Sequence, residues 1–541
     1  MKKTPEQIIK RFDKLKADRQ TWEQHWQELA DYMLPRKNDI QRQFTPGQKR
    51  NTQILDNTGM VSAELLAGAL HGLLTNPYSQ WFGLTTGDPD LDVNDSVRAW
   101  LQDSERRMLG VLNDSNFQTE VHEYYLDLTV FNTAVLTMEE DEKDIVRFNA
   151  RFIASLVLEE NNKGSISDVY REFSWSARQL ADEFGLEKLP KKIKEAYEKG
   201  LDTKFSVIHC VYPKDVNSKK RGPLSQFDFY SQYIAKADKE EIDAKGFNES
   251  PYLVSRWAKA SDEVYGRGPG QTALPEVKII NKMTETIIKA SQKMIDPPLQ
   301  LPDDGFIMPI KTKPGGLNFY RSGSNDRIEP VFNKEIRVDF GYQAMDQHRE
   351  RIKQAFYVDQ LMLSNVGPQM TATEVNQRTE ERMRLLGPML GRQQSEFLSP
   401  LIDRLFKVMF RKQLLKPIPQ ALANHSGLSV QYSSVIAKMQ RTSDGQNIDR
   451  TLQALAPFVQ SDPSILDNLN GDAALREISR IYNFPQTIIR DEMEVKKIRK
   501  SRADAQAQIQ QQQQQQQQAQ QAQQVLPAVA QMQMAQKQQG K

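Results

Sequence analysis

Apolar positions at the start of the chain recur three and four residues apart, at Ile8, Phe12, Leu15, Trp22, Trp26, Leu29 and Met33. That spacing places them along one face of a helix. Thr4-Pro5-Glu6-Gln7 gives the helix its start: a threonine cap, a proline in the first helical position and a glutamine three residues after the cap. The pattern predicts a helix to about Leu34, with Arg19 interrupting its seam, packed on its own domain or on a neighbouring subunit. Met60–Leu74 reads as an apolar helix rich in small residues and ending at Asn76-Pro77, and Asn94–Leu112 and Gln118–Phe131 read as two more. From Ala134 to Phe173 the period falls to two, through Val135, Leu136, Met138, Ile145, Val146, Phe148, Leu156, Val157 and Leu158, with a hairpin turn at Asn161-Asn162-Lys163-Gly164. Helices follow at Ser176–Phe184 and Pro190–Lys199, then strands at Lys204–Tyr212, Phe227–Ile234 and Tyr252–Trp257. Helices first and antiparallel strands after make an α+β half.

The middle of the chain has a different rhythm. After Tyr265-Gly266-Arg267-Gly268-Pro269-Gly270, a helix over Thr272–Ile295 carries Ile280, Met283, Ile287 and Met294 and stops at Asp296-Pro297-Pro298. At the usual rise it would be roughly 36 Å long. Leu299–Phe340 reads as strand, turn, strand, with Phe306-Ile307-Met308-Pro309-Ile310, then Pro314-Gly315-Gly316, then Leu317-Asn318-Phe319-Tyr320. A second helix returns over Gly341–Gln360, and Leu361–Met370 is an uncharged loop holding Gly367-Pro368. Another helix begins at Thr371, is kinked at Gly387-Pro388, and continues through Leu390, Phe397, Leu401, Leu405, Val408 and Met409 to about Leu415. A short strand lies in 427–440, and Gln446–Ser501 is helical in pieces broken at Pro463, Gly471 and Pro485. Past Ala503 the chain is nearly all glutamine and alanine, without an apolar stripe, and is expected to be disordered in isolation; bundling of several copies into helices is the alternative. Two long struts, a distal strand module, a loop and a kinked helix form a mechanical layout rather than a pocket.

Composition narrows the function. The 541 residues divide into several compact regions, and 72 basic against 70 acidic side chains leave a formal charge of +2. A protein that clamps nucleic acid carries a basic excess, because each phosphate contact adds a salt-sensitive attraction. The lone Cys210, in a strand-like run, excludes an intrachain disulfide and reads as a buried structural thiol. The six histidines are scattered, at His25, His71, His122, His209, His348 and His425, with no metal-ligand spacing. Gly266-Arg267-Gly268-Pro269-Gly270-Gln271 lacks the Gly-Lys-Ser/Thr ending of a phosphate loop. The acidic run Glu139-Glu140-Asp141-Glu142 with Asp144 reads as a solvated turn, and Arg378, Glu380, Glu381, Arg382 and Arg384 as a charged helix face. No catalytic activity, cofactor or metal is expected. The N-terminus does not resemble a secretion signal and no run approaches the ~20 apolar residues that span a bilayer.

The order of these elements resembles the portal proteins of tailed phages, specifically the head-to-tail connectors of short-tailed, podovirus-type phages. The resemblance rests on Leu74-Thr75-Asn76-Pro77, Trp81-Phe82-Gly83-Leu84, Pro251-Tyr252, Arg256-Trp257, Tyr265-Gly266-Arg267-Gly268-Pro269, Met370-Thr371-Ala372-Thr373-Glu374-Val375 and Arg378, and covers the chain to about residue 500. It implies an α+β, mostly helical portal fold: wing 1–264, stem helix 265–296, clip 297–340 (with Phe306, Ile307, Met308, Phe319 and Tyr320), second stem helix 341–360, tunnel loop 361–370, kinked wing helix and strand 371–440, helical crown 441–502 and tail 503–541. Channel constriction falls to Leu363, Ser364, Asn365, Val366, Gly367, Pro368 and Gln369, small uncharged residues that brush DNA without anchoring phosphates. The resemblance further implies a homo-oligomeric ring of about twelve around an axial channel. Double-stranded DNA would pass through it non-specifically during packaging by a terminase large subunit, retention and ejection. Capsid and scaffolding proteins, tail adaptors and internal core proteins are the implied partners, with no membrane, in a virion vertex assembled in host cytoplasm. A non-portal oligomeric scaffold or tail adaptor is the alternative.

Overall fold

The computed structural model describes residues 2–42, 45, 47–50, 54–214, 223–296, 298–300, 310, 317, 319, 329–330, 338–361, 387–423, 431–433, 445, 448, 450–451, 453–455, 457–458, 470–481, 490 and 494–515. They divide into two compact units. The first holds Met1–Thr85, Ser104–Lys416 and Val430–Ile436, the second Thr86–Asp103, Pro417–Ser429 and Ala437–Lys541.

The first unit begins with α1 (Pro5–Asp18) and α2 (Gln20–Met33). Thr4 and Gln7 form the expected reciprocal cap. The single helix read from the sequence is two, broken at Arg19. That side chain is buried and turns inward to donate to the carbonyl oxygens of Leu156 and Ala154 and to Glu23. A helical seam with an arginine in it closes only if the arginine finds acceptors, and the break aims it at them. Next come α3 (Thr58–Leu74) and the short strand β1 (Gly83–Thr85); α4 (Pro89–Val93) and α5 (Asp95–Asp114) as far as Asp103 belong to the second unit, and the rest of α5 and α6 (Phe117–Phe131) to the first.

Two antiparallel sheets follow. β2 (Thr133–Glu140), β3 (Val146–Arg151) and β9 (Tyr252–Arg256) pair in the order β3-β2-β9. β4 (Leu156–Glu160), β5 (Ile166–Ser176), β6 (Lys204–Pro213), β7 (Phe229–Ala235) and β8 (Glu240–Phe247) form a meander in sequence order. The β4–β5 hairpin turns at Asn161–Gly164 as its sequence predicts, with Gly164 at φ +74°. Because side chains alternate along a strand, the meander offers two apolar faces. Tyr170, Ile208, Cys210, Tyr212 and Ile234 pack with Ile8 and Phe12 of α1. Val207, Ala235 and Ile242 pack with α7 (Ala177–Phe184) and α8 (Lys191–Glu198). β8 was not foreseen: Glu240-Glu241-Ile242-Asp243-Ala244-Lys245 is too charged to read as a strand, and it is the sheet's edge, where charges are favoured.

Basic residues near the N-terminus tie α1 to this sheet: Arg11 to Glu159 at 2.5 Å, Lys3 to Asp168 at 2.6 Å and Lys16 to Glu172 at 2.7 Å.

Beyond β9 the chain enters α9 (Pro269–Ile295), 27 residues and about 40 Å long. It starts three residues before the expected Thr272, because Pro269 serves as its first helical residue. α10 (Val338–Ala355) returns antiparallel to it, as the contacts of Ile287 with Gly341 and of Glu276 with His348 establish. Between them β10 (Leu299–Gln300) pairs with β11 (Glu329–Pro330). The return helix does not run unbroken to Gln360. It stops at Phe356-Tyr357, where Tyr357 takes φ +56° and stacks on Trp257, and resumes as α11 (Val358–Leu361). Residues 387–393 form α12, followed by a π-helical turn at Gln394–Leu398 and by α13 (Ser399–Arg411), which ends four residues short of the expected Leu415. The strand expected in 427–440 is β12 (Gln431–Ser433), paired with β1.

In the second unit, Gly471–Ile481 is helical and is tied by Arg476 to Asp95 at 2.6 Å. Residues 494–515 form an exposed helix, where disorder was expected from Ala503 onward. Glutamine and alanine are strong helix formers, and local propensity alone carries the charged helix of 494–502 into this tail.

Glu172 lies between Lys16 at 2.7 Å and Lys236 at 2.8 Å. Burial alone would raise its pKa, but the two ammonium hydrogen bonds pull it from 4.5 down to about 2. A depressed carboxylate stabilises the fold above its unfolded pKa and loses that contribution as pH falls through the folded value. Acid unfolding of the wild type should therefore show a stability loss on the order of 3 kcal/mol between about pH 4.5 and about pH 2. Denaturant titrations at fixed pH should show this slope flattened in Glu172→Gln.

Candidate functional site

The residues that the sequence singled out at Tyr265–Pro269 form the root of the long helix. α6 ends at Asn132, whose φ of +61° turns the chain sharply into β2. Into that bend comes the segment leading to α9, so closely that side chains have no room. A Cβ on Gly266 would lie 2.2 Å from the carbonyl oxygen of Asn132, one on Gly270 2.2 Å from that of Val130, and one on Gly268 2.7 Å from the Trp257 ring. The approach is fixed by hydrogen bonds: Gly266 N–H donates to Thr133 Oγ1 at 2.8 Å, Trp257 N–H to Asn132 O at 2.9 Å, and Ala258 and Arg267 exchange a backbone pair.

Aromatic rings close the other side. Tyr265 packs edge-on against Trp26 at 4.9 Å between centroids and near Trp22 at 5.7 Å, and its hydroxyl accepts from Leu158 N–H. Arg267 lies over the Trp22 ring at 5.1 Å while holding Glu263 at 2.5 Å. The tryptophan stripe of the N-terminal helices is therefore core packing within the chain.

Beneath the root lies a buried charge centre. Arg256, 1% exposed, pairs with Glu160 and with Glu396, the latter at 2.7 Å, and also donates to the carbonyl oxygens of Gly164 and Val264. Lys259 adds a second cation to Glu160 at 2.8 Å. Burial would lower the Arg256 pKa, but the two carboxylates outweigh it and the net direction is up. Glu396 belongs to the π-helical turn, and Gln393 before it accepts from Ser255 at 2.9 Å and donates to Arg256 O at 3.2 Å. Arg404 of α13 is likewise buried, donating to the carbonyl oxygens of Glu249 and Met138; burial lowers its pKa to about 10. Arg256 had been noted only as part of a motif, and Glu396 and Arg404 not at all. No local pattern marks them, since each finds its partners through the fold.

The first half of α9 is held by its own chain. Ala273, Leu274, Val277 and Ile280 are buried, Asn281 Oδ1 accepts from Leu55 and Asp56 N–H, and Arg349 binds Asp56 at 2.9 Å. Glu276 sits 2.5 Å from His348, whose hydrogen bond pulls its pKa down. The second half is not covered: Ile288 is 43% exposed, Met294 47% and Ile295 85%, as is Tyr342 of α10 at 51%.

Of the other predicted site residues, Phe319 is exposed. Phe306, Ile307, Met308, Tyr320, Leu363–Gln369, Thr371–Glu374 and Arg378 lie outside the described residues. Among the described residues no group of His, Cys, Asp and Glu could hold a metal ion, and no helix is long and apolar enough to cross a membrane. Cys210 is buried and its thiol pKa pushed up, which suits packing and not nucleophilic attack.

A family model described as bacteriophage head to tail connecting protein matches residues 5–489. The probable portal protein of Bordetella phage BPP-1 is 32% identical over 508 residues, covering 92% of this chain and 91% of the relative. The portal protein of Salmonella phage epsilon15 is 30% identical over 515 residues, covering 93% and 92%. That of Escherichia phage T7 is 21% identical, covering 84% and 83%.

Gly266→Ala forces its methyl group against the Asn132 carbonyl, which belongs to the backbone and cannot rotate away. A loss of about 1–3 kcal/mol is expected, measured as a lower midpoint of denaturant unfolding. Gly391→Ala, where nothing lies within 4 Å, is the control and should not lose stability.

Proposed function

Because the chain belongs to the family of bacteriophage head to tail connecting proteins, we propose that it works as the portal of a phage capsid, copies of it ringing a channel at one vertex. Portal function follows from membership. The finer reading assigns α9 and α10 to the stem, the β10–β11 region to the clip, residues 1–264 with α13 to the wing, 441–502 to the crown and 361–370 to the tunnel loop.

One observation carries the ring: the outer half of the helix pair leaves Ile288, Met294, Ile295 and Tyr342 uncovered. A single protomer holding two long helices has nothing to bury them against, whereas a neighbour's helix pair does, at roughly 25 cal/mol per Å² of apolar surface. About twelve copies would close the ring. Double-stranded DNA would pass inward under a terminase docked at the clip and later outward through tail adaptors; capsid, scaffolding and internal core proteins would meet the rest. The near-neutral balance of 72 basic and 70 acidic residues suits a passage that must not hold phosphates. The role is structural, in the virion, with no reaction to catalyse.

Negative-stain images of the purified chain should show rings with an axial hole and a flared rim; a monomer, or an aggregate without an opening, defeats the reading. Asn365→Lys should slow genome packaging or ejection, read as DNA filled per unit time in an assembly reaction. An unchanged rate removes residues 363–369 from the constriction.

A further inference from the structure

We propose that neighbouring copies of this chain join edge to edge along the helix pair, the basic outer edge of α9 in one copy against the acidic outer edge of α10 in the next. This rests on the ring reading and names the surface that closes the ring.

The inner seam of the pair is defined by Glu276 against His348 and by Ile287 against Gly341. Lys278 is two residues from Glu276, and Glu285 and Lys289 are each two from Ile287, about half a helical turn round. With Lys282 they make an outward stripe of three lysines and one glutamate. Glu285 is held between Lys282 at 2.9 Å and Lys289 at 2.5 Å, so the stripe is basic in sum. On α10 the same offset from the seam selects Gln343, Asp346 and Glu350. The two stripes therefore face opposite ways from one hairpin, which is the placement that side-by-side copies require. Lys282 and Asp346 are the most open of these charges, with side chains 75% and 69% exposed.

Their heights also match. A rotation about an axis running along the helices changes bearing and not level, so the next copy's α9 meets α10 at the levels already set inside the hairpin. Five residues back from Ile287 is Lys282, and five on from Gly341 is Asp346. Nine back is Lys278, and nine on is Glu350. Lys282 and Lys278 thus each meet a carboxylate. Ile288 and Tyr342, both uncovered, fall within about 3 Å of one level and flank the charged stripes. Within one copy Lys278 reaches Glu28 at 2.6 Å, Asp346 accepts from Arg349 at 2.8 Å and Glu350 from Lys353 at 2.7 Å. These local pairs are solvent-exposed and weak, and a carboxylate with free lone pairs can take a second cation.

The test uses the full chain and reads assembly by mass photometry and folding by circular dichroism. In about 0.1 M salt, Lys278→Glu with Lys282→Glu should raise the concentration for half assembly by roughly tenfold or more, since each reversal replaces attraction with repulsion. Asp346→Lys with Glu350→Lys should do the same. All four changes in one chain should restore rings, as should an equimolar mixture of the two pairwise variants. The milder Lys278→Gln with Lys282→Gln should fall between and reports if a reversal impairs folding. Should folded reversal variants assemble like the wild type, or the fourfold exchange fail to rescue assembly, the edge contact is wrong while the ring stands. Should the wild type itself form no ring, both readings fall, at a step seen before any variant is made.

Discussion

A guanidinium with almost no access to water must be neutralised where it stands, and four parts of the chain are arranged to do this for Arg256. Its own strand, β9, is the last before the long helix. Glu160 and Gly164 belong to the β4–β5 hairpin, Val264 to the segment entering α9, and Glu396 to the π-helical turn some 140 residues on. Removing the arginine would leave Glu160 to Lys259 and Glu396 to Arg392 and take away the one charge that joins them. The extra residue of the π turn has a physical reason here, because it is this turn that presents Glu396 to the charge. Sheet, hairpin, helix entry and distal helix therefore share one electrostatic condition.

Above that centre the root of α9 is built on backbone contact. Glycines at 266, 268 and 270 let the entering strand lie against the carbonyls of Val130 and Asn132 without intervening side chains, and interiors packed to that density transmit displacement instead of absorbing it. A helix of about 40 Å anchored at one end, braced by α10 through Glu276–His348 and by Asn281 and Arg349 at its midpoint, is a stiff lever. At its far end the helix leaves Met294 and Ile295 uncovered.

Legibility in the sequence followed locality. The reciprocal cap at Thr4–Gln7, the Asn161–Gly164 turn and the stop after Ile295 were readable, since each is decided by neighbours within a few residues. The Tyr265–Pro269 run was visible as unusual, but its chemistry was not: the glycines are required by a carbonyl at Asn132, far away in sequence. β8 was hidden because its charges serve an edge. The break at Tyr357 was hidden because the positive φ there goes with stacking on Trp257, a tertiary partner. Arg404 and Glu396 show the same limit, as charged residues on helices that ordinarily face water.

The charged edge of β8 has a consequence for how copies of the molecule can meet. An outermost strand exposes a row of free backbone donors and acceptors, an invitation to endless strand-on-strand growth into fibres. Glu240, Glu241, Asp243 and Lys245 line β8, and its register slips between Tyr233 and Ile234 of its partner, so an identical edge arriving from another molecule meets like charge and a bent template. Promiscuous, open-ended polymerisation is thereby discouraged, and association is left to surfaces whose geometry can terminate.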